Sequence, residues 1–384
     1  MALINNKALV KETEVFVKKE TTFGTLAFPA ATDAIKVTAV PTGSQPESFS
    51  DSEELQNSRS KPDRAQDQTP AAPIDLKLYS RPSGAAGTPP QEDVLLECAL
   101  GLKTVNAGVS VVYSPAIALP SFSLCWKEGH TWFFAAGCKV GNLSWAFAAK
   151  GYLNLGFSGL AQKVMLAGTS ETVADSTTEL LKLASGGAKL FTAGAYVQVG
   201  SEDNSGDGYL ITAVDLDNDT ITISPALSGA PAADVVVKGF LPTPSYSGTK
   251  VEAKTGTVTL DGADLKIMSA TGSLNNNLAQ DDQELTSDYF VSDIEGGMRD
   301  AGGQLQCRFR RELAGFFSRA RNQIQGAIVM QAGAVAGSQV KFELPQAEMN
   351  TPSLGGDSIW RDLNVELVGL PSAANEDEAK ITYF

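Results

Sequence analysis

PSFSLCWKEGHTWFFAAGCKVG, residues 120–141, and LSWAFAAKGYLNLGFSG, residues 143–159, stand one residue apart. Each reads as strand, turn, strand. The turn is Glu128-Gly129-His130 in the first and Lys150-Gly151 in the second. Gly137, Gly141, Gly151, Gly156 and Gly159 punctuate the run at intervals that suit no helix. The stretch is therefore a run of strands, and the chain is predicted to be mainly β.

Working towards the N-terminus, QEDVLLECAL (91–100) is predicted to be a short helix. Thr88-Pro89-Pro90 opens it, Glu92 and Asp93 occupy the first turn where the dipole favours acid, and Gly101 ends it. PIDLKLYS (73–80) alternates, with Ile74, Leu76 and Leu78 on one side and Asp75 and Lys77 on the other. That is a half-buried strand. Residues 42–72 read as one long polar loop, with Phe49 the only aromatic between Thr42 and Thr69. Loops of that length in a compact domain are usually functional or disordered. Residues 1–33 read as an extended arm leading into a strand at Ala34–Val40.

Downstream, residues 186–241 look self-contained. YLITAV, TITISPAL and DVVVKGFLP are short strands, and Asp217-Asn218-Asp219 is a hairpin turn. Four or five such strands suggest a small barrel inserted in a larger domain, flanked by Ser/Thr/Gly-rich linkers at 168–178 and 244–250. RELAGFFSRARNQ (311–323) gives the clearest helix. Leu313, Phe316, Phe317 and Ala320 form its apolar stripe, with Arg311, Arg319 and Arg321 outward or at the edges. QLQCRFRR, AIVMQAG, QVKFELP, WRDLNVELVGLP and AKITYF read as strands. These shifts divide the chain into an arm (1–33), a main domain in two parts (34–169 and 246–345), an inserted small β domain with linkers (170–245) and C-terminal strands (346–384).

Composition bounds the function. The 384 residues are 43% hydrophobic and 19% charged, which permits a sizeable core. The net charge of −14 is the reverse of what a simple nucleic-acid binder needs to displace phosphate counterions. Cys98, Cys125, Cys138 and Cys307 form no CxxC pair, and Cys98 and Cys125 sit among apolar residues as buried thiols. The first 20 residues do not read as a signal peptide, and no apolar run reaches the roughly 18 residues of a membrane span.

Catalytic signatures are missing. His130 is the sole histidine and lies in a turn, so no conventional triad can be built around it. Asp215, Asp217 and Asp219 imitate the start of a calcium loop, but Thr220 and Ala226 stand where glycine and glutamate are required. EGGMRDAGG (295–303) lacks the Lys-Ser/Thr pair of a phosphate loop and reads as a turn with close backbone packing. No catalytic residue, metal ligand or cofactor is expected.

The order of these pieces resembles the major tail tube proteins of siphophages. KETEVFVKKETTFGTLAFP is similar to the family's leader, which ends in an acidic residue followed by a Thr-Phe-Gly-Thr pattern. GTPPQEDVLLECALG resembles its Thr-Pro, leucine-rich helix, glycine element, and residues 121–159 resemble the hairpins of the tube wall. RELAGFF with AIVMQAG, VKFELPQAEMN and ITYF fits the family's C-terminal part. The resemblance covers about 320 residues and fails over 170–245.

It implies two packed antiparallel sheets flanked by a helix, plus the inserted small β-barrel-like domain facing outward. It implies rings of six copies stacked into a tube whose lumen conducts DNA. The implied partners are other copies, the tape measure protein and DNA within the lumen, and the tail terminator and distal tail proteins, with no membrane. The place of action is the virion tail, assembled in the host cytoplasm. The loop is then expected to reach the adjacent ring through Glu53, Glu54, Arg59, Lys61, Asp63 and Arg64, and the helix to contact a neighbour through Arg311, Arg319 and Arg321. An acidic lumen is expected to keep DNA from sticking. Two other readings stand beside this one. The first is a baseplate, distal tail or tail-terminator ring protein of the same fold. The second is a carbohydrate-binding virion module using Trp126, Trp132 and Trp145, although strand placement of Trp126 and Trp132 favours core packing.

Overall fold

The computed structural model describes residues 10–54, 59–61, 63–148, 150–281, 290–356, 359–372 and 376–384. The chain opens with β1 (Glu14–Lys19) and the short β2 (Ala34–Ile35). Val15, Phe16 and Val17 are all buried, so β1 is covered on both faces. The stretch read as an arm thus supplies a core strand, paired with β2 and with residues 122–127. Next come β3 (Phe49–Asp51) and β4 (Arg64–Gln66), which pair with each other. β5 (Ala72–Tyr79) buries Ala72, Ile74, Leu76 and Leu78 on alternate positions, as its pattern requires. α1 (Asp93–Leu100) ends where Gly101 turns to φ 103°, its N–H closing on the Glu97 carbonyl.

β6 (Gly101–Asn106) and β7 (Ser110–Pro115) form a hairpin, followed by β8 (Phe122–Glu128), β9 (Thr131–Ala148) and β10 (Asn154–Ala167). β9 is one strand of 18 residues spanning both quoted hairpins. It pairs with β10 along one side; on the other, its first half pairs with β8 and its second half with β19 (Ile267–Asn275). Gly137 sits at φ 66° in a bulge opposite β8, and its N–H donates to the Glu20 carboxylate at 2.8 Å.

The inserted unit comprises β11 (Thr169–Glu171), β12 (Leu180–Lys182), β13 (Tyr196–Val199), β14 (Tyr209–Asp215), β15 (Thr220–Ser224) and β16 (Val236–Gly239). They form a six-stranded sheet in the order β11-β16-β13-β14-β15-β12. The two edge strands meet at a Thr172–Leu183 bridge, drawing the sheet round on itself. Residues 169–173, read as linker, belong to this sheet. Small Ser and Thr side chains conceal the strand in the sequence, yet Thr172 is buried and donates its hydroxyl to the Ala232 carbonyl at 2.7 Å. The core of the unit runs on into the main domain. Leu181, Val197, Ile211, Ile221 and Val237 share one apolar cluster with Trp132, Phe134 and Met165.

The chain returns through β17 (Thr257–Leu260) and β18 (Ala263–Leu265) to β19, then the hairpin β20 (Leu278–Asp281) and β21 (Asp293–Gly296), and β22 (Asp300–Arg308). A 3-10 turn at Arg311–Ala314 leads into α2 (Gly315–Arg321). Last come β23 (Gly326–Ala332), β24 (Val340–Met349), β25 (Ser353–Gly356), β26 (Arg361–Leu370) and β27 (Lys380–Tyr383).

Two antiparallel layers result. One runs β5-β10-β9-β19-β22-β26, the other β17-β23-β24-β27-β7-β6. β24 joins them: its first half pairs with β27 and its second half with β26. Across the interior, Trp145 of β9 stacks on Phe342 of β24 at 5.0 Å, and Phe147 meets the same ring edge-on at 5.6 Å. α1 packs on β9 and β7, α2 on β24. The fold is mainly β, two packed sheets with flanking helix, as expected.

Candidate functional site

Alternation buries Leu143, Trp145 and Phe147 of β9, so Asn142, Ser144 and Ala146 project from the other face of the first layer. Register extends these positions into rows. One row is Tyr79, Asn154, Ala146, Thr271, Gln304 and Glu366; the next is Lys77, Gly156, Ser144, Ser273, Gly302 and Val368. A third is Asp75, Ser158, Asn142, Asn275 and Asp300. From β10 to β19 every one of these residues is small and uncharged. Charge appears at the margins, where Lys77 pairs with Asp75 at 3.2 Å and where Glu366 and Asp300 stand. The face is concave around Ser144, Gly156 and Ser273. It offers hydroxyls and amides to water and no nucleophile–base pair.

The second feature is the β3–β4 hairpin. All six residues of its strands are exposed, and it stands off the sandwich. Its base is rooted: Gln45 donates to the Pro70 carbonyl at 2.5 Å, Gln68 to the Phe290 carbonyl at 2.8 Å, and the Val164 amide to Gln45 at 2.8 Å. Its strands are pinned by the Arg64 guanidinium 3.5 Å over the Phe49 ring and by a Lys61–Asp51 ion pair. That lysine holds the Asp51 carboxyl below its usual range. Glu53, Glu54 and Arg59 are exposed, and Asp63 accepts from the Arg64 amide at 2.7 Å. The stretch read as one long polar loop therefore contains a projecting hairpin. Its two strands are only three residues each, too short for a periodic signal, and residues 55–58 and 62 lie outside the described part.

The phage tail tube protein family matches residues 11–367 of this chain. The chain belongs to the phage tail tube protein family. Among curated proteins no relative matches. A tail tube protein is a structural component of the virion tail that assembles with copies of itself.

In this tail tube protein Arg319 is used within the chain, donating to Asp261 at 2.8 Å and to the Gln325 carbonyl at 3.2 Å. Arg311 and Arg321 are exposed. The hairpin and α2 are separate features, and no contact between Glu53 or Glu54 and these arginines occurs among the described residues. Trp126, Trp132 and Trp145 are buried, so none is available to stack on a sugar. Sequence reasoning missed Trp360, which is 58% exposed beside Ile359 at 77%. His130 is exposed in its turn. Asp215 accepts from the Asp217 and Asn218 amides at 3.0 and 3.1 Å, as a hairpin tip requires.

Sequence reasoning also passed over what the Glu20-Thr21-Thr22-Phe23-Gly24-Thr25 pattern does. Glu20 is buried and accepts four hydrogen bonds: Gly24 N at 3.1 Å, Gly137 N at 2.8 Å, Ser121 Oγ at 2.7 Å and Ser123 Oγ at 2.8 Å. One carboxylate thereby locks the leader onto β8 and onto the β9 bulge.

Proposed function

We propose that the chain is the tube-forming subunit of a long non-contractile siphophage tail. Six copies form a ring, rings stack, and the small-polar face of the first layer lines the lumen. The observation that carries this reading is the row structure of that face. Three adjacent strands, β10, β9 and β19, present only small uncharged residues outward, mostly hydroxyls and amides, with fixed charge on the strands that flank them. The centre of such a wall gives phosphates no cation to bind, the marginal Lys77 being paired with Asp75, and lets DNA pass over a water layer. That centre is uncharged, with Asp75, Lys77, Asp300 and Glu366 at its margins, and many of the acidic residues gather elsewhere. Residues 169–241 hold ten acidic against three basic side chains, half of the net charge of −14.

The tape measure protein and then DNA occupy this lumen, and terminator and distal tail proteins cap its ends. The projecting hairpin, with Glu53, Glu54, Arg59, Lys61, Asp63 and Arg64, reaches the adjacent ring. Arg311 and Arg321 on the α2 side meet a neighbour. Assembly takes place in the host cytoplasm.

Negative-stain electron microscopy of the concentrated chain tests the reading, with hollow stacked tubes of uniform width and six-fold end views expected. Single unstacked rings at every concentration would transfer the chain to a terminator or distal-tail role. Ser144→Lys with Ser273→Lys should slow DNA ejection from virions, and unchanged ejection kinetics would remove this face from the lumen.

A further inference from the structure

A groove at the Tyr79 end of β5 gathers Lys11, Lys36, Arg81 and Lys250 around Tyr79 and Tyr246. No carboxylate lines it among the described residues. The Lys250 ammonium lies 3.8 Å from the Tyr152 ring centre and 5.9 Å from that of Tyr79; Lys36 lies 4.8 Å from that of Tyr246. Ring faces hold the cations in place without neutralising them. The Arg81 guanidinium reaches the Gly248 carbonyl at 3.5 Å, and its Nε is buried with no partner. Burial, and after it the charge of Glu14 on β1, raises the Tyr246 phenol. Four basic side chains collected without a carboxylate among them are unexpected in a chain of net charge −14.

The complement sits at the other end of the same strand. The hairpin leaves and rejoins the sandwich beside Ala72, rooted there by Gln45 and Gln68. Its Glu53 and Glu54 are exposed and meet no cation among the described residues. Eight residues of β5 separate the two ends, about 25 Å at ~3.3 Å per residue. The hairpin is rooted at the end of β5 remote from the groove, and Glu53 and Glu54 do not line that groove.

We propose that this groove receives Glu53 and Glu54 of the hairpin from a second copy of this chain. The inference rests on the reading of the chain as a stacking tube subunit and names the receptor for its hairpin. Donor and receptor at opposite ends of one molecule make a head-to-tail contact, which repeats without saturating and builds a filament. Each exposed ion pair is weak alone. Repetition around a ring makes the sum effective and leaves it sensitive to salt.

Cysteine trapping tests the contact in the full chain. All four native cysteines are buried, so new surface thiols react alone. Glu54→Cys and Lys36→Cys, made separately and mixed under mild oxidation, should give a disulfide-linked pair that neither gives by itself. The double variant should give a ladder. In parallel, Glu53→Lys with Glu54→Lys should abolish stacking, as should Lys36→Glu with Lys250→Glu, and all four changes together should restore it. Unaltered tubes from either reversed pair, or no cross-link in concentrated chain, would overturn the proposal. Native tubes formed beside that result would leave the subunit reading standing. Loss of duplex DNA binding in Lys36→Glu/Lys250→Glu, with stacking unchanged, would give the groove to nucleic acid and also overturn it.

Discussion

Glu20 shows how much a single side chain organises here. Its carboxylate satisfies two backbone amides and two hydroxyls, with no ion pair to a lysine or arginine among the described residues. Glu20→Ala strands those donors in a buried pocket, at a cost of roughly 3 kcal/mol. Urea unfolding should show it as a lower midpoint with an unchanged slope. Glu92 is the second such residue. It accepts from Ser80 Oγ and Tyr383 Oη at 2.7 Å each and from the Arg81 amide, tying α1 to β5 and to the C-terminal strand. Burial raises its carboxyl above the ordinary 4.5, against these hydrogen bonds, which lower it. The folded chain thus holds a proton that the unfolded chain releases sooner. Stability from this group is complete below 4.5 and is lost as pH rises towards the folded value. Glu92→Gln should flatten the decline in unfolding free energy above pH 4.5, and an unchanged pH profile would show that Glu92 is ionised throughout.

At the scale of elements, the hairpin and the helix separate assembly from stability. The described strand residues of β3 and β4 are exposed, so replacing residues 48–67 with a short Gly-Ser linker removes no core contact. Its thermal stability should stay within about 1 kcal/mol of the parent while stacked tubes disappear. Tubes of normal length from the shortened chain would take the hairpin out of the inter-ring contact. The arginines of α2 divide in the same way. Arg319→Ala leaves Asp261 without its cation and should lower stability by about 1 kcal/mol, read by calorimetry. Arg311→Glu with Arg321→Glu should leave the melting curve unchanged and act on assembly alone, read by sedimentation.

For the whole molecule, the inserted unit is part of the core as well as decoration. Trp132, Phe134 and Met165 of the main sheet are buried beneath Val197, Val237 and their neighbours. Deleting residues 170–240 uncovers that patch. The shortened chain should bind a hydrophobic dye and aggregate, and adding Trp132→Ser and Met165→Ser should suppress aggregation. A deletion variant that stays monodisperse without those changes would show that the unit docks only loosely. The unit also carries half of the net negative charge, so it should add to repulsion between copies at low salt.

Local chemistry made most of the longer strands and both helices legible. Alternation along 73–80, prolines before α1 with glycine after it, and the aromatic run at 120–159 each depend on neighbours a few residues apart. The order of those pieces also carried the family, because it is a property of the sequence. The sequence could not show that β9 is a single strand serving β8 and β19 in turn, or that residues 169–173 belong to the inserted sheet. It could not show that the loop is a rooted hairpin, or that Glu20 and Glu92 are buried. Each of these depends on partners distant in sequence, up to 291 residues away, whose hydrogen bonds decide the matter only once the chain has closed on itself. The neutral face was likewise set by tertiary structure. Alternation gives each strand two sides, and only the packing of Trp145 on Phe342 decides which of them is left to water.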